Sequence, residues 1–353
     1  MVSSPASYPK RTCAVSLLQH TKNPILLAKK MLERSVDDLD GSTIGAQGHG
    51  FLSGPTAEGL AERWGLEMVP TEYFWTRKRW NEHERGLREG HKAGVYGRAR
   101  EGLEGDFRTW KEKTASADAA AELEAQGEWD GELYLPQGTV GCVCMDRDGT
   151  LCVATSTGGL TNKLDGRIGD TPTVGAGYWA NEWTELQRKP APESWPWTNY
   201  PIFHEASDLI GACLPTRSRR SEALLPPANE KERKGQKRAV AMSGTGNGDS
   251  FLRLAACHAA GAIAQHSPRK SLATAVREVA GPGGQLQRSA MDRWGKTGEG
   301  EGGIIGIERT DEGKVVWDFN CGGMFRCWRD DAGRHRVMVF RGEYPGLDRL
   351  DPR

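Results

Sequence analysis

Gly138 and Thr139 have the residue types required for a nucleophile that a chain makes by cutting itself. A threonine hydroxyl within a chain is a weak nucleophile, because no base lies beside it. Cleavage of the bond before Thr139 would create an α-amine, whose ordinary pKa of about 7.7–8.0 suits a base near neutral pH. The preceding glycine can adopt strained backbone geometry and leaves its carbonyl open to attack. The dipeptide alone is more typical of a turn that opens a strand, so the neighbouring residues decide between the two interpretations.

A hydroxyl-rich turn follows this junction at a spacing that brings it back to the nucleophile. Residues 139–146 and 150–154 are predicted to form a β-hairpin, with Asp148 and Gly149 in its turn. The sequence TSTGG comes directly after the second strand, so Thr157 returns near the start of the first. From that position a hydroxyl can hydrogen-bond the nucleophile and hold its rotamer.

An arginine and an aspartate lie close together in the loop GRIGDTP, as Arg167 and Asp170. Arginine binds a carboxylate through two parallel hydrogen bonds, and aspartate accepts hydrogen bonds from an ammonium group. Together they suit the α-carboxylate and the α-amine of a free amino acid. The alternative interpretation is an ordinary surface salt bridge.

The glycine-rich segment SGTGNGDS supplies another candidate site, with Thr245 and Gly246 at its centre. Backbone N–H groups near the start of a helix suit an oxyanion. A nucleotide phosphate loop is excluded there, because no lysine precedes Ser250. Residues 298–303 match GxGxxG, but they precede a predicted strand and carry two glutamates, so they are interpreted as a loop.

The combination of GTVG, ATSTGG and GRIGDTPTVGAG resembles the type-2 (plant-type) asparaginase and isoaspartyl-peptidase family, whose members are N-terminal-nucleophile hydrolases. The resemblance implies an α+β fold, the αββα four-layer sandwich. It implies self-cleavage between Gly138 and Thr139 into an α-chain part (1–138) and a β-chain part (139–353), which pair into an (αβ)2 assembly. No organic cofactor is implied, although a structural sodium ion is usual in the family.

The resemblance also implies six site residues, in chain order Thr139, Thr157, Arg167, Asp170, Thr245 and Gly246. The first is the nucleophile and the second is its hydroxyl partner. The arginine holds the α-carboxylate of the substrate and the aspartate its α-amine, while the last two contact the oxyanion or the substrate.

Two features depart from the family pattern. The resemblance implies a buried strand ending in HGGAG and a NAG-containing loop, and neither motif occurs before residue 23. Without that module we expect poor solubility, slow self-cleavage, weak activity and loss of the sodium-binding loop. Residues 182–238 are rich in proline and basic residues and are interpreted as a partly disordered insert, and residues 105–137 as a flexible linker.

The remaining segments are assigned by periodicity and by turn residues. Helices are predicted at residues 23–35, 56–64 (capped by Thr56), 251–265 and 271–280, and at the start of the charged stretch 72–104. Residues 41–54 are predicted to be a loop, and residues 304–340 a three-strand meander. Cys142 and Cys144 alternate on one strand and are interpreted as small core residues.

Charge and cysteine usage limit the classes of partner. The 47 basic side chains balance 47 acidic ones, so neither a nucleic-acid nor a membrane-surface partner is indicated. No apolar run approaches the roughly 20 residues of a membrane helix, and no secretory signal is recognised. The eight cysteines do not form CxxC pairs, which favours a reduced, cytoplasmic setting.

These features predict an amidohydrolase that acts on a small-molecule substrate, either the side-chain amide of L-asparagine or an isoaspartyl peptide bond. Two alternatives stay open: a non-catalytic remnant that is never processed, and a protease that resembles the threonine aspartases. Glycosylasparaginases usually carry DT and TSTNG where this chain has GT and TSTGG, which disfavours their substrate.

Overall fold

The computed structural model describes residues 1–3, 10–34, 46–92, 138–185, 236–267, 270–330 and 332–341. The chain divides into two compact units, one formed by Met1–Glu182 and Ala239–Arg353, the other by Trp183–Arg238. The second unit is described only at its two ends, where Nη1 of Arg238 lies 3.6 Å from Oε2 of Glu185. The linker predicted at residues 105–137 lies outside the described residues.

The first elements form a small cluster of helices and strands. Their bounds are Ala14–Ser16 (β1), Pro24–Arg34 (α1), Phe51–Ser53 (β2) and Gly54–Arg63 (α2). Strands β1 and β2 pair in parallel, and Leu27, Ala57 and Ala61 form a fully buried core between the two helices. The helix predicted at residues 23–35 is confirmed.

Two predictions in this region are wrong. The expected loop at residues 41–54 contains strand β2, and α2 begins at Gly54, so that Thr56 lies inside the helix and Ser53 is the N-cap residue. The physical reason lies at Gly54, whose φ of 63° turns the chain directly from strand into helix. Pro55 then suits the first helical turn.

A 3₁₀ turn (Thr71–Phe74) leads into helix α3 (Arg77–Lys92), which confirms the helix expected at the start of the charged stretch. The rest of that stretch, beyond residue 92, lies outside the described residues.

Two antiparallel strands, β3 (Val140–Met145) and β4 (Leu151–Ser156), confirm the predicted hairpin. Gly149 has a φ of 82°, a conformation that glycine supplies in such turns. A second sheet has the order β5-β6-β7-β8, with bounds Tyr178–Glu185 (β5), Gln236–Gly246 (β6), Gly302–Arg309 (β7) and Gly313–Phe319 (β8).

The insert predicted at residues 182–238 is too long at both ends. Strand β5 continues to Glu185 and β6 begins at Gln236, so the ends of the predicted insert belong to strands. The alternating burial of YWANEW is the signal that marks the end of β5. Residues 186–235 lie outside the described residues.

The hairpin packs face to face on the second sheet. One hydrophobic cluster contains Leu151 and Val153 from β4, Tyr178 and Ala180 from β5, and Ala239 and Ala241 from β6. The α+β class is thereby confirmed. Cys142 and Cys144 are exposed, so their interpretation as core residues is wrong: the strand turns Val143 towards the core and its two cysteines away from it.

The helices after β6 are α4 (Gly248–Leu254), α5 (Ala256–His266), α6 (Leu272–Ala280) and α7 (Gln285–Ser289). The single helix predicted at residues 251–265 is therefore two helices, separated at Ala255 by a left-handed φ of 46°. The helix predicted at residues 271–280 is confirmed as α6, which Ser271 caps and Gly281 follows. Among the described residues, no helix is both long enough and apolar enough to span a bilayer.

The predicted three-strand meander is wrong beyond β8. A separate two-stranded sheet follows, formed by β9 (Arg326–Arg329) and β10 (His335–Met338). The side chain of Asn320 accepts from Gly302 N (2.9 Å) and donates to Gly300 O (2.8 Å) at the point where the chain leaves the sheet. Further along, the guanidinium of Arg326 stacks 3.8 Å from the ring of Trp317.

Candidate active site

Thr139 and Thr157 are brought together by the register of the hairpin. Thr139 directly precedes β3 and Thr157 directly follows β4, and the last pair of the ladder is Val140 with Ser156. The Oγ1 atom of Thr139 donates to Oγ1 of Thr157 at 3.2 Å. Thr157 Oγ1 also accepts from the backbone N–H of Gly159 at 3.0 Å, which fixes its position.

A second hydroxyl pair attaches the hairpin to β6, because Thr155 Oγ1 and Ser243 Oγ lie 2.7 Å apart. Gly141 allows the close approach, since a Cβ at that position would lie 2.1 Å from Ser243 Oγ. Sequence reasoning missed Ser243, although a serine within the apolar run AVAMSG is a visible signal.

A cavity of about 690 Å³ opens beside these hydroxyls. Its polar wall contains Thr139, Thr157, Lys163, Arg167, Asp170 and Thr171. Leu17, Leu18 and the apolar residues of α1, such as Ile25, form the apolar wall. Four of the six predicted site residues therefore line one cavity.

The side chains of Arg167 and Asp170 lie beside the N-terminus of helix α4. The Nη2 atom of Arg167 is 3.2 Å from Oδ2 of Asp249, in an ion pair that sequence reasoning missed. A Cβ at Gly248 would lie 2.6 Å from Oδ1 of Asp170 and 2.9 Å from Nη2 of Arg167. Glycine at that position therefore lets the helix start approach both charged groups.

The carboxyl of Asp170 is 7% exposed, and burial raises its pKa above the ordinary value. The hydrogen bonds from backbone N–H groups and the nearby charge of Arg167 act in the opposite direction but do not cancel the effect of burial. A buried carboxylate in this state gains from a cationic ligand, which restores the favourable interactions lost with water.

Lys163 is a further cation in the same wall. Its Nζ atom donates to the carbonyl oxygens of Gly158 (3.1 Å) and Leu160 (3.2 Å), which holds the loop after β4 in shape. Burial, and to a smaller extent the charge of Arg167, lowers the pKa of this lysine. Sequence reasoning did not select it, because a lone lysine in a loop carries no specific signal.

Thr245 and Gly246 lie near the end of β6, and the cavity wall does not include them. Thr245 is opposite Gly303 in the ladder between β6 and β7. Gly246 has a φ of 150°, and a Cβ there would lie 2.3 Å from Glu301 O, which accounts for the glycine by packing. Their contact with an oxyanion stays a prediction.

Gly138 lies beside helix α3, because a Cβ at Gly138 would be 3.4 Å from Nη2 of Arg79. Arg79 in turn forms a 2.7 Å ion pair with Glu82, one turn along the helix. The described residues contain no group of three or more His, Cys, Asp or Glu side chains placed to hold a metal ion. The sodium ion that the resemblance implies stays untested by the structure.

Comparison with known proteins identifies relatives for most of the chain. A family model described as asparaginase matches residues 8–185. The isoaspartyl peptidase of Escherichia coli (strain K12) is 28% identical over 315 residues, which cover 89% of this chain and 64% of that protein. The probable isoaspartyl peptidase/L-asparaginase 2 of Arabidopsis thaliana is 35% identical over 176 residues, or 49% of this chain and 46% of that protein.

A third relative matches a shorter segment at higher identity: the plant-type L-asparaginase of Pyrobaculum calidifontis is 46% identical over 71 residues, 20% of this chain and 24% of that protein. The chain spans less than two thirds of the length of the first two relatives. The family model covers half of the chain, and the chain belongs to the type-2 asparaginase family.

Proposed function

We propose that this protein is an amidohydrolase that cuts itself between Gly138 and Thr139 and then uses Thr139 to cleave the side-chain amide of L-asparagine or an isoaspartyl peptide bond. One observation carries the proposal. The hydroxyls of Thr139 and Thr157 are 3.2 Å apart, in a cavity that also contains Arg167 and Asp170.

The first step is the cleavage that creates the nucleophile. The Oγ atom of Thr139 attacks the carbonyl carbon of Gly138, the peptide C–N bond breaks, and the hydroxyl proton passes to the released amine. The resulting ester is hydrolysed by water, which leaves a carboxylate on Gly138 and restores the Thr139 hydroxyl beside a free α-amine. Before the attack Thr157 accepts a hydrogen bond from that hydroxyl, so it orients the attacking oxygen.

The second step uses the same oxygen on the substrate. The α-amine of Thr139 takes the hydroxyl proton, Oγ attacks the side-chain carbonyl, and ammonia or an amine leaves with that proton. Water then hydrolyses the aspartyl ester and releases aspartate. The α-carboxylate of the substrate binds Arg167 and its α-ammonium binds Asp170, a pairing that suits a buried carboxylate and a guanidinium one-fifth exposed.

The proposal extends to the fold and the assembly. The hairpin lies on the second sheet, α1 packs against β4, and α6 packs against β7 and β8. This arrangement supports the αββα four-layer sandwich. We also propose that the processed protein forms an (αβ)2 assembly, which size-exclusion chromatography with light scattering tests.

The deciding experiment follows intact mass and ammonia release from the purified protein. We expect the 38.7 kDa chain to convert into two fragments, the second beginning Thr-Val-Gly-Cys, as hydrolysis of L-asparagine appears. A single uncut species without activity would favour an unprocessed, non-catalytic protein. Cleavage of protein substrates after aspartate, without asparagine hydrolysis, would favour a protease.

A further inference from the structure

Thr171 has a buried hydroxyl that no described residue satisfies. The residue is 7% exposed, and its Oγ1 atom has no hydrogen-bond partner among the residues that the structure describes. The residue lines the same cavity as Thr139 and directly follows Asp170 in the chain. A buried hydroxyl without a partner is costly, so a ligand that supplied one would gain affinity.

The backbone around Thr171 is held in place. The carbonyl of Asp170 accepts from Thr173 N at 2.8 Å and from Gly177 N at 3.1 Å. A Cβ at Gly177 would lie 2.8 Å from Thr171 Cα, so the loop packs closely against this glycine. The hydroxyl is therefore positioned before a ligand arrives, which reduces the entropy lost on binding.

The chemistry of the neighbouring carboxyl indicates what the ligand group is. An ammonium group has three protons to donate, and the carboxylate of Asp170 takes one of them in the proposed binding mode. A second acceptor on the adjacent buried residue would satisfy another proton beside this buried carboxyl. A threonine hydroxyl serves this purpose because its oxygen has two acceptor lone pairs.

We infer that Thr171 Oγ1 is a substrate contact that accepts a hydrogen bond from the α-ammonium, next to Asp170, and thereby selects ligands with a free α-amine. The inference rests on the proposed function, since it concerns the substrate of that same site. It adds a specificity-determining residue that acts on the amine and not on the amide being cleaved.

L-Aspartate and succinate provide the test, because these four-carbon dicarboxylates differ only in the α-ammonium. Their affinities for the purified protein are measured by calorimetry, and by competition against asparagine hydrolysis. Thr171→Val removes the hydroxyl and keeps the shape of the side chain, and Thr171→Ser keeps the hydroxyl. Thr21→Val is the matched control, since Thr21 Oγ1 is also buried without a partner among the described residues but lies outside the cavity wall.

We expect Thr171→Val to bind L-aspartate about 10-fold more weakly, as for loss of a hydrogen bond to a charged group. Its affinity for succinate should be unchanged, and Thr171→Ser should restore L-aspartate binding. Thr21→Val should change the affinity for neither ligand. Equal weakening of both ligands, unchanged L-aspartate affinity, or failure of the serine variant to restore it would overturn the inference. If Thr171→Val does not fold, Thr171→Ala takes its place and is compared with Thr171→Ser in the same way.

The two proposals fail in different ways. A wild-type protein that binds L-aspartate through Thr171 but hydrolyses no amide would overturn the proposed function alone. A wild-type protein that hydrolyses asparagine, with Thr171→Val unchanged in affinity, would overturn only the role of Thr171. A wild-type protein that binds no L-aspartate overturns the inference whatever its turnover.

Discussion

The hairpin that carries Thr139 and the strand that supports it differ sharply in burial. Five of the six residues of β3 are exposed, whereas residues 239–244 of β6 are buried without interruption. Strand β6 has neighbours on both sides within its sheet, while β3 pairs only with β4 among the described strands. The candidate nucleophile thus adjoins a largely exposed strand, and its position is set by a largely buried one.

Contacts between the two regions show how this arrangement works. Ser243 on β6 holds Thr155 of the hairpin, and Gly248 lets the helix after β6 reach Asp170. Substitutions in the exposed region should therefore change activity at nearly constant stability, and substitutions in the buried region should do the reverse.

The largest effect is expected from Thr139→Ala, which should abolish both self-cleavage and hydrolysis while leaving the melting temperature nearly unchanged. The variant removes the only atom that we propose as nucleophile. Intact mass and ammonia release measure the two reactions, and Thr150→Ala, in the turn of the same hairpin, is the control. Processing or turnover that persists in Thr139→Ala would show that another residue is the nucleophile.

Phe251→Ala tests the buried region. Phe251 is fully buried, and a Cβ at Gly244 or Gly302 would lie 2.4 Å from its ring, so these two neighbours have no side chain that could fill the space. We expect the free energy of unfolding to fall by about 3–5 kcal/mol, a large part of a typical 5–15 kcal/mol. Urea titration measures the change, and the 67% exposed Val140 gives the control Val140→Ala, with an effect of about 0.5 kcal/mol or less. Similar losses in both variants would remove the contrast between the regions.

Asp170→Asn should separate binding from stability, because burial raises the pKa of this carboxyl above its ordinary value. Between the pKa of this carboxyl in the unfolded state and its higher pKa in the folded state, the folded state keeps the proton that the unfolded state has lost. The stability of the wild type therefore falls as the pH rises through this range. The variant has no such charge and should be more stable at pH 7, while its substrate binding weakens by about 2–5 kcal/mol.

Melting curves of the wild type and of Asp170→Asn between pH 4 and pH 7 provide the measurement. The gap in melting temperature should widen in favour of the variant as the pH rises. Michaelis constants for L-asparagine at pH 7 measure the loss of binding. If this difference in melting temperature narrows as the pH rises, the carboxylate of Asp170 stabilises the folded state and does not destabilise it.

Sequence reasoning succeeded where the signal is local. The turn at Asp148 and Gly149 and the helix at residues 271–280 depend on residues a few positions apart, and both are confirmed. The register of the hairpin then follows from the turn, and it brings Thr157 to Thr139.

Sequence reasoning failed where distant segments meet. Asp249 lies 82 positions from Arg167, and Ser243 lies 88 positions from Thr155, so neither contact has a spacing that a motif could reveal. The break at Ala255 and the departure from the sheet at Asn320 likewise depend on tertiary packing that overrides local helix and strand preference.

The bridge between the two regions should have a modest energy that a double-mutant cycle can measure. Thr155→Val and Ser243→Ala each remove one partner of the 2.7 Å hydrogen bond. We expect a coupling energy of about 1 kcal/mol in urea unfolding, together with slower self-cleavage in each single variant. A coupling energy near zero would mean that β6 positions the hairpin by packing alone.

Deletion of residues 186–235 should have the smallest effect. It tests whether this third region supports either the hairpin or the buried sheet. Strands β5 and β6 are neighbours in one sheet, with Glu185 Oε2 3.6 Å from Arg238 Nη1, so a short glycine-serine linker can join them. The deleted sequence is rich in proline and charge, and the entropy of loop closure changes slowly with length, by about 0.6 kcal/mol for each doubling. The melting temperature should therefore move by no more than about 2–4 °C, with self-cleavage and asparagine hydrolysis retained. A larger fall in melting temperature, at unchanged activity, would show that the segment packs on the buried sheet. A loss of activity at unchanged melting temperature would show that it supports the hairpin instead.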